Sequence, residues 1–149
     1  MSKELTNQMK RHEGFRAKVY VDTTGHKTIG YGFNLDAGMS ENTAEALLQS
    51  QLAEVWIDCN REFHSFWWRL SRPRQCVLIN MVFNMGMEGV KRFKKMIKAI
   101  SEGDDERVVI EMLDSRWARQ VGNRANELAY QWQQDGFLSE EELRKVWSK

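Results

Sequence analysis

The sequence of 149 residues has little of what would indicate a membrane, fibrous or disulfide-stabilised protein. It has one proline and two cysteines, and no apolar run approaches the roughly eighteen residues that a membrane-spanning helix needs. The N-terminal stretch is polar from Ser2 onward, unlike a secretory signal peptide. We therefore expect no membrane segment and synthesis in the cytoplasm. Cys59 and Cys76 fall on apolar helical positions, which favours buried free thiols over a disulfide.

A charge excess of one sign is also nearly absent. Lysine and arginine number 22 and the acidic residues 21, a net charge of +1 at pH 7. Hydrophobic residues make up 42% and charged residues 29%, which is typical of a globular chain with one sizeable core or two small lobes. The three histidines, His12, His26 and His64, lack the spacing of metal ligands. We therefore predict no metal site and no cofactor.

One group of basic side chains is concentrated on what the pattern predicts to be a single helix. It consists of Lys91, Arg92, Lys94, Lys95 and Lys98. A solvated helix face is the ordinary interpretation, and attraction to an anionic polymer such as a bacterial wall or nucleic acid is the functional one. Composition does not separate the two. Nucleic-acid binding would leave the N-terminal segment described next unexplained, so we do not expect it.

The N-terminal segment predicts a short helix followed by a β-hairpin. Ser2 is a good N-cap, and the apolar spacing after it continues to about Glu13. A carboxylate there lies at the helix end that disfavours negative charge, so its placement suggests a functional reason. The residues that follow predict strands at 18–22 and 27–32, joined by a turn that contains a glycine.

The second strand of this hairpin has one face with almost no bulk. Thr28, Gly30 and Gly32 share that face if side chains alternate regularly. Glycine weakens a strand, and close approach by a ligand or another backbone is a common reason for its presence. We interpret this face as the floor of a groove, with Asp22 at its edge near the turn.

Glu13, Asp22 and Thr28 are the candidate catalytic residues. Two carboxylates from separate elements, with a hydroxyl between them, suit hydrolysis of a glycosidic bond. One acid protonates the leaving oxygen, and the other orients or activates a water molecule. The spacing is weak evidence by itself, because a Glu and an Asp at this interval occur by chance in most proteins.

The same residues carry a resemblance to a known family. From Glu13 to Gly32 the chain reads Glu-Gly-Phe-Arg-x-x-x-Tyr-x-Asp-x-x-Gly-x-x-Thr-Ile-Gly-x-Gly. This pattern resembles the catalytic segment of the phage-type lysozyme (endolysin) family, T-even type. Residues 79–86 and 115–125 are also similar to segments of that family. The resemblance implies that Glu13, Asp22 and Thr28 are the catalytic residues.

The resemblance further implies a mainly helical α+β fold of the lysozyme type in a single domain, residues 1–149. A small N-terminal lobe with a β-hairpin, about 10–52, would be joined by a long helix to a larger helical lobe. That larger lobe would comprise about 53–149 together with the N-terminal helix. The residues agree with this architecture, because Ser40 can cap a long helix and an apolar segment entered through Pro73 predicts a buried central helix.

A set of substrate contacts is implied as well, comprising Gly30, Gly32, Asn34, Phe83, Asn84, Trp117 and Arg124. Asn34 would act through its backbone, Trp117 would pack beside the cleft, and Arg124 would reach Glu13. From the residues alone, Phe83 and Trp117 would be core side chains and Arg124 a solvated charge.

The chain departs from the family pattern in two places. Phe33 and Asn34 follow Gly32 where many members have a histidine, which removes an ion pair that affects stability more than chemistry. The segment between Asn34 and Ser40 is also shorter than in the T-even type, which affects the sugar subsites on that side.

The function implied by the resemblance is host cell lysis by hydrolysis of peptidoglycan. The bond cleaved would be the β-1,4 linkage between N-acetylmuramic acid and N-acetylglucosamine. Glu13 would act as general acid, with Asp22 and Thr28 holding the attacking water, so the reaction would invert configuration. A monomer made in the host cytoplasm would depend on a holin to reach the wall in the periplasm. The alternative is a catalytically inactive peptidoglycan-binding module on the same fold.

Overall fold

The structure, a computed structural model, describes residues 2–148, and the chain divides into two compact units between Leu48 and Gln49. The first unit contains a helix and a three-stranded antiparallel sheet, and the second is helical. A long helix runs from the first unit into the second. This architecture confirms the predicted mainly helical α+β class. Across residues 2–148, no helix combines the length and the apolar character that crossing a bilayer requires.

The first unit begins with helix α1 (Lys3–Glu13), which Ser2 caps as predicted by accepting a hydrogen bond from the N–H of Leu5 at 3.2 Å. The sheet has the order β1-β2-β3. Its strands are β1 (Arg16–Val21), β2 (Lys27–Gly30) and β3 (Phe33–Asn34), followed by a 3-10 helix (Leu35–Ala37). Thr28 on the central strand pairs with Tyr20 on one side and Asn34 on the other.

The sheet differs from the predicted hairpin because β2 ends at Gly30 and a third strand follows. Gly30 and Gly32 have φ angles of 69° and 78°, in the region that residues with a side chain rarely adopt. These angles interrupt the regular alternation of side chains and turn the chain back toward β3. The prediction that Thr28, Gly30 and Gly32 share one bare strand face is therefore wrong.

Helix α2 (Glu41–Glu62) is the long helix expected after Ser40, whose side chain accepts a hydrogen bond from the N–H of Thr43 at 3.2 Å. Eight further helices follow within the described residues. They are α3 (His64–Trp67), α4 (Arg72–Met85), α5 (Met87–Lys91), α6 (Lys94–Glu102), α7 (Asp105–Leu113), α8 (Arg116–Val121), α9 (Asn123–Gln134) and α10 (Glu140–Trp147).

Helix α4 is the buried helix of the second unit, as predicted. Ser71 caps it by accepting from the N–H of Arg74 at 3.4 Å, and a proline occupies its first turn. Val77, Leu78 and Met81 are fully buried, and α4 packs against α5 and α9. Each fully buried side chain of this size contributes about 1.5–3 kcal/mol by leaving water. Other fully buried residues of this core are Trp67, Val90, Val108, Met112 and Trp132.

Both cysteines are free, as predicted. Cys59 on α2 is completely buried, and burial raises the pKa of its thiol to about 12. Cys76 on α4 is half-buried, and burial raises its pKa as well. Both thiols therefore stay protonated at neutral pH and act as packing groups.

The basic side chains between Lys91 and Lys98 do not share one helix, so that prediction is wrong. Helix α5 ends at Lys91 and α6 begins at Lys94, and Phe93 between them serves as the N-cap of α6. Lys91 Nζ lies 3.6 Å from Glu62 Oε2, and Lys98 Nζ lies 3.9 Å from Glu102 Oε1. The helix boundary divides the cluster between two helices, and acidic side chains lie beside Lys91 and Lys98.

Candidate active site

Glu13 is the last residue of α1, and its carboxylate lies directly against Gly32. A Cβ atom added to Gly32 would lie 2.7 Å from Glu13 Oε2 and 3.3 Å from Glu13 Cδ. Any side chain at position 32 would therefore displace the carboxylate. The turn between β2 and β3 contains glycine at the point where the candidate acid approaches the backbone.

Gly30 has a different neighbour. A Cβ atom there would lie 3.1 Å from the ring of Phe33. Sequence analysis attributed both glycines to the approach of a ligand or another backbone, whereas the structure places side chains of this same chain against each of them. The two predicted contact residues thus have separate local reasons to be glycine.

Asp22 follows β1, and one of its oxygens organises the turn that leads to β2. Asp22 Oδ1 accepts hydrogen bonds from the N–H of Thr24 (2.9 Å), the hydroxyl of Thr24 (2.8 Å) and the N–H of His26 (2.8 Å). The N–H of Asp22 donates to the carbonyl of His26 at 2.9 Å. Within residues 2–148 no donor reaches Asp22 Oδ2. One oxygen fixes the carboxylate, and the other is left to accept from a further partner.

The donors around Oδ1 hold the pKa of Asp22 below its ordinary value. The N–H of His26 makes the largest contribution, and the hydroxyl of Thr24 makes the next. Hydrogen bonds to the charged form of a carboxyl group favour that form. Asp22 is therefore ionised at neutral pH, the state in which a carboxylate accepts hydrogen bonds from water.

The lowered pKa makes the stabilising role of Asp22 dependent on pH. A carboxylate whose pKa is depressed by folding stabilises the protein above the unfolded value, and the stabilisation is lost as the pH falls through the folded value. Since the ordinary value is 3.8, we expect Asp22→Asn to lower the free energy of unfolding more at about pH 7 than at about pH 3. Urea denaturation of both proteins at the two pH values checks this, and equal losses would contradict it.

Thr28 is buried, with 3% of its surface exposed, and is the one fully buried residue in the described part of the first unit. Its hydroxyl donates to the carbonyl of His26 at 3.1 Å. The N–H of the same His26 donates to Asp22. The structure thus brings two of the three predicted catalytic residues together through the backbone of a turn residue that sequence analysis did not single out.

Asn34 has a structural task in addition to its predicted role. Its Oδ1 accepts hydrogen bonds from the N–H groups of Asp36 (2.9 Å) and Ala37 (3.3 Å), which caps the 3-10 helix. Asp36 in turn accepts from the N–H of Lys27 at 3.1 Å and so secures the start of β2. The expected contact of Asn34 with substrate through its backbone stays a prediction.

The predicted contact residues of the second unit form two hydrogen-bonded pairs. The indole N–H of Trp117 donates to Asn84 Oδ1 at 2.7 Å. The side chain of Arg124 donates from Nε to Asn80 Oδ1 at 2.9 Å and from Nη2 to the carbonyl of Asn80 at 3.4 Å. Asn80 was missed by sequence analysis, although it precedes Asn84 by one turn of α4 and therefore shares its face.

Trp117 and Phe83 differ in their burial. Trp117 is 7% exposed and packs edge-on against Phe93, with ring centroids 6.2 Å apart. Trp117 also borders a cavity of about 640 Å³ that Met85, Phe93 and Arg116 help to line. Phe83 is 41% exposed. The interpretation of Phe83 as a core side chain is therefore wrong, because it projects from α4 outside the core.

Proteins that hydrolyse glycosidic bonds use two carboxylates, which here come from separate elements and are accompanied by a hydroxyl group. Among residues 2–148, no group of three or more histidine, cysteine or acidic side chains could hold a metal ion. Comparison with known protein families places the chain among the glycoside hydrolases. The chain belongs to the phage lysozyme family, whose model matches residues 10–133. Membership implies peptidoglycan muramidase activity.

Individual relatives are distant in sequence. The pre-baseplate central spike protein of Enterobacteria phage T4 is 29% identical over an alignment of 150 positions, which covers 82% of this chain and 26% of the spike protein. The chain therefore spans about a quarter of that relative's length. Probable T4-type lysozymes 1 and 2 of Dictyostelium discoideum are 28% and 26% identical over 155 residues, which cover 85% of this chain and 91% of each of them.

Proposed function

We propose that this protein is an endolysin that cleaves the β-1,4 bond between N-acetylmuramic acid and N-acetylglucosamine by a single displacement that inverts configuration. The family supports muramidase activity. The observation that carries the finer proposal is the asymmetry of the Asp22 carboxylate. Three donors fix Oδ1, and Oδ2 accepts none from the described chain.

In this mechanism Asp22 and Thr28 orient the attacking water. The hydroxyl of Thr28 donates its only proton to the carbonyl of His26, so it offers lone pairs to any further partner. Asp22 Oδ2 offers lone pairs as well. A water molecule that donates one proton to each of these oxygens keeps its own lone pair free to attack the anomeric carbon.

Glu13 is the general acid of the proposed reaction. Its carboxylate is held beside the backbone of Gly32, at the end of β2 opposite to the turn that contains Asp22. Protonation of the glycosidic oxygen by Glu13 would convert the leaving sugar into a neutral alcohol, which departs more easily than an alkoxide.

The two carboxylates are attached near opposite ends of β2. Asp22 is bonded to His26, just before the strand, and Glu13 meets Gly32, just after it. Inverting enzymes hold their carboxyl groups about 6.5–9.5 Å apart to admit water, and retaining enzymes about 5–5.5 Å apart. Attachment near opposite ends of the strand leaves room for the longer separation, which the proposed reaction requires.

The configuration of the first product tests this proposal. We expect proton NMR of a freshly cleaved peptidoglycan oligosaccharide to show the α anomer at the new reducing end, because the β bond is displaced once from the opposite face. Appearance of the β anomer first would replace the single displacement by a covalent intermediate. Failure to release reducing ends while glycan binding persists would favour the inactive binding module.

The proposed substrate contacts extend to the second unit. The exposed ring of Phe83 is available to a sugar face, and the side-chain nitrogen of Asn84 remains a donor after its oxygen has accepted from Trp117. Asn80 fixes the direction of Arg124. We include Gly30, Gly32 and the backbone of Asn34 as contacts in the first unit.

The biological role that we propose is lysis of a bacterial host. The protein would be made in the host cytoplasm, reach peptidoglycan in the periplasm after a holin opens the inner membrane, and act as a monomer. Family membership supports this role, and the polymer acted on would be the glycan strands of the wall.

A further inference from the structure

The turn between β1 and β2 contains a chain of three polar side chains. The hydroxyl oxygen of Thr24 lies 2.8 Å from Asp22 Oδ1 and 2.7 Å from His26 Nδ1. A hydroxyl group has one proton and two lone pairs, so it can donate to only one of these neighbours. The direction of both hydrogen bonds therefore depends on which neighbour must accept.

An ionised carboxylate can only accept hydrogen bonds. The hydroxyl proton of Thr24 accordingly points to Asp22 Oδ1, and Thr24 can then accept from His26 if Nδ1 carries a proton. The resulting order of donors is His26 Nδ1–H, then the Thr24 hydroxyl, then Asp22 Oδ1. The imidazolium form satisfies this order in every case, because both of its ring nitrogens are donors.

We propose that His26 and Thr24 are positioning residues that orient the Asp22 carboxylate and thereby aim Oδ2 at the attacking water. This inference rests on the proposed role of Asp22. The terminal torsion of an aspartate is broad, so backbone donors alone leave the carboxylate some freedom to rotate. The side-chain relay from His26 adds a third donor to Oδ1 and restricts that rotation.

The relay requires a proton on Nδ1 of His26. The neutral form with its proton on Nε2 would instead make Nδ1 an acceptor that competes with Asp22 for the hydroxyl of Thr24. The imidazolium form and the neutral form with its proton on Nδ1 both complete the relay. Asp22 Oδ1 lies 3.9 Å from Nδ1, so the carboxylate favours a proton on this nitrogen.

Substitutions in the relay separate positioning from binding. We expect His26→Phe and Thr24→Val each to lower kcat on a soluble peptidoglycan fragment about tenfold, which corresponds to one hydrogen bond to a charged group. KM should stay unchanged, because neither side chain is proposed to contact the sugar. The double variant should lose no more than either single variant, because both break the same relay. The backbone groups of residue 26 that bind Asp22 and Thr28 remain in every variant.

Conservative variants provide a readout that a purely structural role would not change. Thr24→Ser keeps the hydroxyl, and His26→Asn keeps a nitrogen donor near the position of Nδ1, so both should recover most of kcat. His64→Phe, on α3 in the second unit, is the matched control with wild-type kcat.

Several outcomes would overturn the relay. These are wild-type kcat in both His26→Phe and Thr24→Val, losses that multiply in the double variant, or no recovery of kcat in Thr24→Ser. Asp22→Asn distinguishes failure of the relay from failure of the proposed function. If Asp22→Asn is inactive while the relay variants are normal, only the relay fails, and if Asp22→Asn is fully active, the role of Asp22 itself fails. If His26→Phe does not fold, a comparison of kcat between Thr24→Ser and Thr24→Val tests the relay instead.

Discussion

Replacement of Glu13 by glutamine is expected to lower kcat for peptidoglycan hydrolysis by about 10²–10⁴, the range that a general acid contributes. Glutamine has nearly the shape of glutamate, but it cannot supply the proton that the leaving oxygen needs. The side chain ends α1 and contacts Gly32, and an amide fits the same space. Release of reducing ends and clearing of purified walls, with circular dichroism of both proteins, would measure the loss at equal folding.

Glu4→Gln is the matched control for this experiment, because Glu4 lies in the first turn of the same helix and is exposed. We expect it to retain wild-type kcat. Equal clearing by Glu13→Gln and the wild type would assign the acid to another residue. If neither clears while both bind glycan, the protein is a binding module.

Substitution of Gly32 by alanine is expected to lower kcat about 100-fold, the loss that follows a displacement of about 1 Å in a reacting group. The new methyl group would lie 2.7 Å from Glu13 Oε2, closer than a carbon and an oxygen can approach, so the carboxylate must move. The expected loss is in kcat, because the acid would remain present but misdirected.

Gly38→Ala separates this steric effect from backbone strain. Gly38 has a φ of 74°, close to the 78° of Gly32, yet a Cβ atom there would meet no atom within 4 Å. Both variants should lose about 1–3 kcal/mol of stability, because backbone with a positive φ is unfavourable for alanine. Only Gly32→Ala should lose activity. Similar kcat values for the two variants would show that the position of Glu13 does not depend on Gly32.

The parts of the fold that could be predicted from the sequence are those set by local hydrogen bonds. Ser2 and Ser40 cap α1 and α2 as predicted, and Ser71 caps α4 in the same way. Ser139 and Glu142 form the capping box of α10, with bonds of 3.2 Å and 3.1 Å. Each of these contacts joins residues three positions apart, so the sequence contains both partners within one helical turn.

The errors arose where distant side chains or unusual backbone angles decide the structure. The basic residues from Lys91 to Lys98 were assigned to one helix, although α5 ends at Lys91 and α6 begins at Lys94. Strand alternation predicted one face for Gly30 and Gly32, but their positive φ angles end β2 and begin a third strand. Phe83 was assigned to the core by its apolar character, whereas its place on α4 leaves it exposed.

By itself the sequence determined the caps that begin α1 and α2, the apolar character of α4 and the pattern that contains Glu13, Asp22 and Thr28. The tertiary structure alone decided that the Glu13 carboxylate lies against Gly32 and that Arg124 is held by Asn80, 44 positions away in the chain. Helix caps and turns are encoded by residues within a few positions of each other. Contacts such as these depend on the path of the whole chain, which brings together side chains that no local pattern relates.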